Sequence, residues 1–548
     1  MTAASSAPAF NSWAELMEYN HSAYREKPFL IYYDANGKRT QWSYAVFIET
    51  AQRLASLLRH NGIVRGNKVA IAGHNHPDTI LGYFACWILG ACAVPLNMLE
   101  DDARLEYILT NSETRLVLCR TEYLVRINHP QVIEVDTDAG DPVFYSLLRD
   151  QPLFSLDRAE PMLTDESLIV YTSGTTGNPK GVVLTQGNMF ADSGSIGRWH
   201  GITPETRMMC VLPVHHVNGT IVTHTTPFLM GASVVLCRKF SASRFWDIVI
   251  AENIHGVSVV PTLLAYLLEA DAADSTTQLP ESFHIICGAG PLTCELASRF
   301  ERRFGYRIIH GYGLSETTCY TCFLPVHLSD EQHASWMRDH GFPSIGVALP
   351  CNEMAIHNDL GQLVAPGERG EIVARGSNIM KGYHNNKEAN DHAFKYGWFR
   401  SGDEGFYLHD AEGTAYYFIT GRLKELIIRG GVNIAPLEID EVINRAPGVK
   451  AGIAVGFEHD MYGEEVGALV VPEENANADE IRQFCLQNLP LHKAPKVVLF
   501  ATELPVTSTG KHQRNKVRHL FATIGVSVQN NRYRTYRMSV AFTPSLGM

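Results

Sequence analysis

The chain has 548 residues and a mass of 60.9 kDa, too long for one ordinary domain, so two or more are expected. Hydrophobic residues make up 45% and charged residues 19%, ordinary globular proportions that allow a sizeable buried core. The formal net charge of −12 excludes a general nucleic-acid binder, which needs a basic face, but not the binding of one nucleotide by a local set of donors.

Taken in chain order, the first residues lack the basic-then-apolar pattern of a secretory signal. Apolar residues at helical spacing run over 44–60, and Gly62 follows as a stop. Residues 68–72 read as a strand, 79–89 as a helix, 92–96 as a strand, and 115–119 and 168–171 as further short β-rich runs. The uncharged run 80–96 is interrupted by Gly82, Gly90 and Pro95 and is short for a membrane span. A buried helix followed by a buried strand is expected there. The alternation predicts an α/β fold of stacked parallel sheets covered by helices. Over 416–428 a Gly-Arg turn joins two apolar strands, and a smaller unit follows with strands near 452–456 and 468–471. This predicts a large N-terminal domain over 1–421, a small mobile α+β domain over 422–525, and a tail over 526–548 without clear period. The 11 cysteines are scattered, so a reducing, cytoplasmic compartment is expected. Cys319 and Cys322 form a CxxC with no second ligand pair and are expected to pack in a pocket or core. The C-terminal SLGM is not the SKL peroxisomal address.

The stretch 171–181, YTSGTTGNPKG, carries the most chemistry. Gly174, Gly177 and Gly181 let backbone N–H groups approach an anion closely. Ser173, Thr175 and Thr176 add hydroxyl donors, and Lys180 adds a charge. The spacing is not that of a P-loop. An apolar strand before it and VVLT after it argue against a flexible linker.

This stretch resembles the signature loop of the adenylate-forming superfamily, which includes acyl-CoA synthetases, adenylation domains of peptide synthetases and beetle luciferases. The other family motifs follow in the family's order, and the resemblance covers about residue 30 to about residue 520. It implies that Thr172, Ser173, Gly174, Thr175, Thr176 and Lys180 bind ATP, with Thr176 also a magnesium ligand. LPVHHVNG at 212–219 resembles the element beside the acyl site. His216 matches the family histidine and is counted as catalytic, while His215, Asn218, Gly219 and Thr220 are implied to line the acyl pocket. His215 stands where an aromatic residue is usual, a departure that makes the pocket more polar. Gln186 stands where the family commonly has a histidine. FSASRFW at 240–246, with HVNG, resembles fatty-acid or carnitine-type acyl-CoA ligases more than aryl ligases.

GAGPL at 288–292 resembles the turn that lies along adenine and the acyl pocket, which implies ATP contacts for Gly288, Ala289 and Gly290. HGYGLSET at 310–317 resembles the YGxTE motif, whose tyrosine stacks on adenine and whose glutamate holds magnesium. That places Gly311, Tyr312, Gly313 and Ser315 at ATP and gives Glu316 a catalytic and metal-binding role. An aromatic face suits a base, and a hard carboxylate suits Mg2+. WFRSGD at 398–403 resembles the motif whose aspartate, here Asp403, receives both ribose hydroxyls. GRLKE at 421–425 resembles the hinge motif, with Arg422 on ribose or phosphate and Lys424 as the pivot. Gly430 and Gly431 resemble the glycines lining the pantetheine tunnel of CoA ligases. PVTSTGK at 505–511 resembles the loop with the catalytic lysine, here Lys511, which bridges carboxylate and α-phosphate.

The resemblance implies ATP, Mg2+ and CoA as the small molecules used. A carboxylic acid becomes acyl-AMP with release of pyrophosphate, and the acyl group then passes to CoA. Loading of a carrier protein is the alternative acceptor. A luciferase-like oxygenase is a further alternative, as is a catalytically dead regulator. Against the last, Lys180, Glu316, Asp403, Arg422 and Lys511 are all present. No aspartate lies near His216 to hold an α-amino group, so a non-α-amino acid with an apolar body is expected, and His215 leaves room for a hydroxylated or short polar acid. Neither nucleic acid nor a membrane span is expected.

Overall fold

Two mixed sheets face one another across a layer of helices, as seen in a computed structural model that describes residues 10–135, 143–156, 162–172, 178–270, 279–280, 282–506 and 512–522. The expectations for 173–177, 507–511 and 526–548 fall outside the described residues.

The helix layer follows from local sequence. Tyr44–His60 starts where the Ser43 side chain accepts the Val46 N–H, and the chain turns away at Gly62 with φ 83°. Every residue of the helix Pro77–Ile88 is buried, as expected of a helix apolar all round. The strand Cys92–Leu96 after it is equally buried. Tyr44–His60 packs on the strand Pro28–Tyr33 and Pro77–Ile88 on the strand Lys68–Ala72, so the two helices join the two sheets through one core.

The seven-stranded sheet has Lys68–Ala72, Cys92–Leu96 and Thr114–Arg120 in parallel at its centre. Parallel pairing does not extend to one edge, which is a departure from the expected all-parallel sheet. Glu166–Thr172 runs antiparallel to Lys180–Thr185, which runs antiparallel to Gly382–Tyr383. The connection over 173–179 is too short for a crossover helix, so these strands can pair only as a hairpin. The nine-stranded sheet is likewise parallel from Pro28–Tyr33 through Ile308–Tyr312 and antiparallel at both edges. A third sheet, four-stranded and wholly antiparallel, spans Asn352–His357 to Ala415–Arg422.

Past the short turn Leu423–Glu425, a five-stranded sheet is built on the long hairpin of Val449–His459 and Gly463–Pro472. Its apolar residues, among them Ile427, Ile439, Val470 and Ile481, close a core separate from those of the larger unit. The two units touch through Leu437, which packs on the apolar core of the larger one, and through polar groups. Lys450 pairs with Glu269 at 3.0 Å and Arg369 with Glu438 at 3.3 Å. The Glu441 carboxylate accepts the Cys294 backbone N–H at 2.9 Å, at the start of the helix Cys294–Phe304. No helix among the described residues is long and apolar enough to cross a membrane.

Burial pushes the Glu441 carboxyl up to about 8 from 4.5; the Cys294 N–H opposes the rise and the Asp440 charge adds to it. A carboxyl whose folded value lies above its unfolded value supports the fold while protonated. Its contribution is therefore complete below about 4.5 and is lost as pH rises through about 8. Glu441→Gln keeps an acceptor for the Cys294 N–H and removes the titration. Its Tm is expected to match wild type at pH 5 and to exceed it by about 2–4 °C above pH 8. Equal pH slopes of Tm in the two proteins would show that Glu441 does not titrate across this contact.

Candidate active site

The site lies where the ends of all three sheets of the large unit meet the turn leading into the small one. The hairpin Glu166–Thr172/Lys180–Thr185 pairs Thr172 with Lys180, which pins both ends of the Gly/Ser/Thr loop. The Lys180 ammonium lies 4.9 Å from the centre of the Tyr383 ring. The Tyr383 hydroxyl donates to Glu316 Oε1 at 2.8 Å. Burial is the largest cause raising the Tyr383 pKa, followed by the Glu316 charge and hydrogen bond, with Arg422 opposing. Tyr383 therefore stays a neutral donor and connects the Lys180 loop to Glu316.

A second cluster sits beside it. The Tyr312 hydroxyl donates to Asp403 Oδ2 at 2.6 Å, and Arg422 Nε lies 3.0 Å from Asp403 Oδ1. Asp403 is 1% exposed, yet no described N–H or O–H is aimed at Oδ1 with hydrogen-bond geometry. A buried carboxylate oxygen in that state has an open acceptor position, as one ribose hydroxyl requires. The expectation that Asp403 takes two ribose hydroxyls meets a constraint here, because Tyr312 already occupies Oδ2. The Arg422 guanidinium is held further above its usual pKa first by Asp403, with Tyr312, Glu425 and Glu316 also contributing against burial. Arg422 thus feels both clusters, and Glu316, Tyr383, Tyr312, Asp403 and Arg422 form one electrostatic unit.

The loop 313–320 is shaped by close packing. A Cβ at Gly313 would sit 1.9 Å from the Cys319 carbonyl oxygen, and one at Gly311 would meet the Phe323 ring at 2.3 Å. Thr318 sits at φ 65°, a conformation a β-branched residue rarely adopts. Its hydroxyl donates to the Asn378 carbonyl at 2.7 Å, while Asn378 Nδ2 donates to the Tyr320 carbonyl at 2.9 Å. Asn378 is fully buried and ties this loop to the strand region beyond it. Ser315 and Glu316 lie on the short turn Ser315–Thr317 that results. Ala289, at φ 62°, carries a second strained turn between Gly288 and Gly290.

The His215 and His216 ring centres lie 4.3 Å apart, and polar side chains follow them in the chain. His215 Nε2 is buried with no partner among the described residues, and burial lowers its pKa to about 4, so the ring is neutral. Asn218 Nδ2 donates to the Tyr320 hydroxyl at 3.1 Å, and Ser258 Oγ donates to Asn218 Oδ1 at 2.7 Å. The Thr220 hydroxyl donates to the Val214 carbonyl at 2.6 Å. Asn218–Thr225 forms a π-helix, a wide turn frequent at functional sites, and a Cβ at Gly219 would stand 2.4 Å from the Pro213 carbonyl oxygen.

Gln186, unusual at its position, is completely buried. Its Oε1 accepts the Trp13 N–H at 3.1 Å, and its Nε2 donates to the Trp87 carbonyl at 3.4 Å. It anchors the first helix. Cys319 and Cys322 are buried without a disulfide, as expected. Lys424 is exposed on the turn Leu423–Glu425. Gly430 and Gly431, at φ 58° and 82°, make the two-residue turn between Ile427–Arg429 and Val432–Ile434, a turn that requires positive φ at both positions. Lys511 lies outside the described residues, but Val506 and His512 bridge antiparallel on either side of its loop.

Sequence reasoning missed Tyr383, Tyr320, Asn378 and Ser258. None stands in a pattern that periodicity or charge would mark; each acquires its place only through distant partners.

Residues 17–384 match the model of the AMP-binding enzyme family, and residues 438–511 match the AMP-binding enzyme C-terminal domain. The chain is 35% identical to a sulfoacetate–CoA ligase of Cupriavidus necator, across 94% of this chain and 99% of that one. It is 33% identical to an oxalate–CoA ligase of Arabidopsis thaliana, across 87% of this chain and 93% of the relative. The fold is similar to o-succinylbenzoate CoA synthetase from Bacillus subtilis in complex with its acyl-adenylate intermediate, with a TM-score of 0.79, 28% identity, and coverage of 93% and 98%.

Proposed function

The chain belongs to the AMP-binding enzyme family, and from that premise we propose how its residues divide the work. The protein is an ATP-dependent acid–thiol ligase, an AMP-forming acyl-CoA synthetase. A carboxylate oxygen attacks the α-phosphorus of ATP and pyrophosphate leaves. The CoA sulfur then attacks the acyl carbon, AMP leaves with the bonding electrons, and the thiol proton passes to solvent.

In our reading Tyr312 faces adenine, while Asp403 Oδ1 and Arg422 take the ribose. Residues 172–176 and Lys180 cradle the phosphates, with Gly288, Ala289, Gly290, Gly311, Gly313 and Ser315 forming the backbone around the nucleotide. The open Oδ1 valence of Asp403 beside Arg422 is the observation that carries this assignment. Glu316, oriented by the Tyr383 hydroxyl, and Thr176 hold Mg2+, which when bound neutralises phosphate charge. His216 borders the reacting carboxylate, and Lys511 reaches it from the small domain. The domains divide at 421–422, and Gly430 and Gly431 pass the pantetheine arm. Free CoA, rather than a carrier protein, is the acceptor, and the free cysteines suit a cytoplasmic setting. The acid lacks an α-amino group. Relatives named for sulfoacetate and oxalate direct attention to small polar acids.

The test is acid-dependent ATP–pyrophosphate exchange over fatty, aryl, hydroxy, sulfonated, dicarboxylic and amino acids, followed by thioester formation with free CoA. AMP and pyrophosphate are the expected products. Release of ADP and phosphate, or fastest exchange with an α-amino acid, would contradict the reading.

Lys424→Pro tests the pivot. Proline fixes φ, and a hinge must change it. Pyrophosphate exchange is expected to stay within about twofold of wild type while CoA thioester formation drops about tenfold or more. Retention of both would place the pivot elsewhere.

A further inference from the structure

We propose that Tyr320 is the floor of the acyl pocket and restricts this enzyme to short carboxylic acids. The inference rests on the ligase reading above and names the substrate class of that site.

Its basis is what stands in front of Gly288. A Cβ built there would lie 2.5 Å from the Tyr320 hydroxyl oxygen and 2.8 Å from the Gly311 carbonyl oxygen. The space left by the missing side chain is therefore filled by a phenol. The same ring closes on Gly311, whose Cβ would come within 2.9 Å of Tyr320 Cε1. An alkyl chain leaving His216 and running past Gly288 meets this hydroxyl, with Asn218 and Ser258 hydrogen-bonded in series behind it.

The wall is fixed at four points. The Tyr320 ring packs on Phe323 with centres 4.2 Å apart. Its N–H donates to the buried Asp192 carboxylate at 3.3 Å, and its carbonyl accepts from Asn378 at 2.9 Å. Its hydroxyl accepts from Asn218. Swinging the ring aside would leave Asn218 Nδ2 without this partner in a buried site, which is unfavourable. Interiors packed in this way resist enlargement by a substrate. Tyr320 is thus a specificity residue rather than a gate.

The experiment measures pyrophosphate exchange with acetate, malonate and succinate against hexanoate and octanoate. It uses wild type, Tyr320→Ala, Tyr320→Leu and Tyr320→Phe, with ATP binding and Tm recorded for each. In wild type the short acids are expected to lead octanoate by about 10²-fold in kcat/KM, the scale set by a pocket that rejects extra methylenes. Tyr320→Ala and Tyr320→Leu are expected to bring octanoate to within about tenfold of the short acids, while Tyr320→Phe, which keeps the ring edge beside Gly288 but loses the hydroxyl and its bond to Asn218, is expected to fall between them and wild type. Wild-type turnover of octanoate as fast as the best short acid overturns the proposal. So does an unchanged length profile in whichever truncated variant binds ATP normally. The wild-type series decides the length claim even where a variant does not fold. Absence of exchange with every acid would instead count against the adenylation reading beneath it.

Discussion

Asp403→Ala is expected to lower kcat/KM for ATP in acid-dependent pyrophosphate exchange by about 10²-fold or more, because hydrogen bonds to a charged group contribute about 1.5–3 kcal/mol each. The substitution removes the acceptor beside Arg422 and leaves two groups without their partner. The Tyr312 hydroxyl, which donates to Asp403 Oδ2 at 2.6 Å inside the protein, loses its acceptor, and Arg422 loses its nearest counter-charge. Asp403→Asn separates the contributions. The amide oxygen can still receive the Tyr312 proton, so the Tyr312 ring keeps its orientation, but the charge facing Arg422 is gone. Its loss is expected to be smaller than that of alanine and to appear mainly in KM for ATP. An unchanged KM for ATP in Asp403→Ala would remove ribose binding from this residue.

Lys511→Ala is expected to slow acyl-AMP formation by about 10²-fold or more, the effect of removing one charge aimed at a transition state. In the proposed role, the Lys511 ammonium meets the negative charge of carboxylate and α-phosphate as it gathers with the new bond. Thioester formation from pre-made acyl-AMP should fall far less, since the role proposed for Lys511 belongs to the adenylation step alone. The split between the half-reactions is the diagnostic measurement. Equal losses in both would make Lys511 a structural residue.

Several features were legible in the chain itself because their causes are local. The helix Tyr44–His60 and the buried pair Pro77–Ile88 and Cys92–Leu96 follow from apolar periodicity and stop signals. The roles expected of 310–317 and 398–403 came from the resemblance to the adenylate-forming superfamily, whereas the glycines, hydroxyls and lysine of 171–181 suggested anion binding by their own chemistry. Even there the strings stated only residue types. That Tyr312 bonds Asp403 across 91 residues, and Tyr383 reaches Glu316 across 67, has no local signature. Gln186 shows the same limit. Its departure from the family pattern was visible, but its burial between Trp13 and Trp87 was not. The antiparallel sheet edges escaped because a strand's alternation is the same whichever way its neighbour runs. Tyr320 is the sharpest case. In the chain it is one aromatic between two cysteines, and only the packing of Gly288, Gly311 and Asn218 around it makes it a wall. The sequence by itself determined which groups were available and where the chain would turn. The tertiary structure alone decided which distant groups would meet, because burial and hydrogen-bond satisfaction are properties of the whole packed interior rather than of any segment.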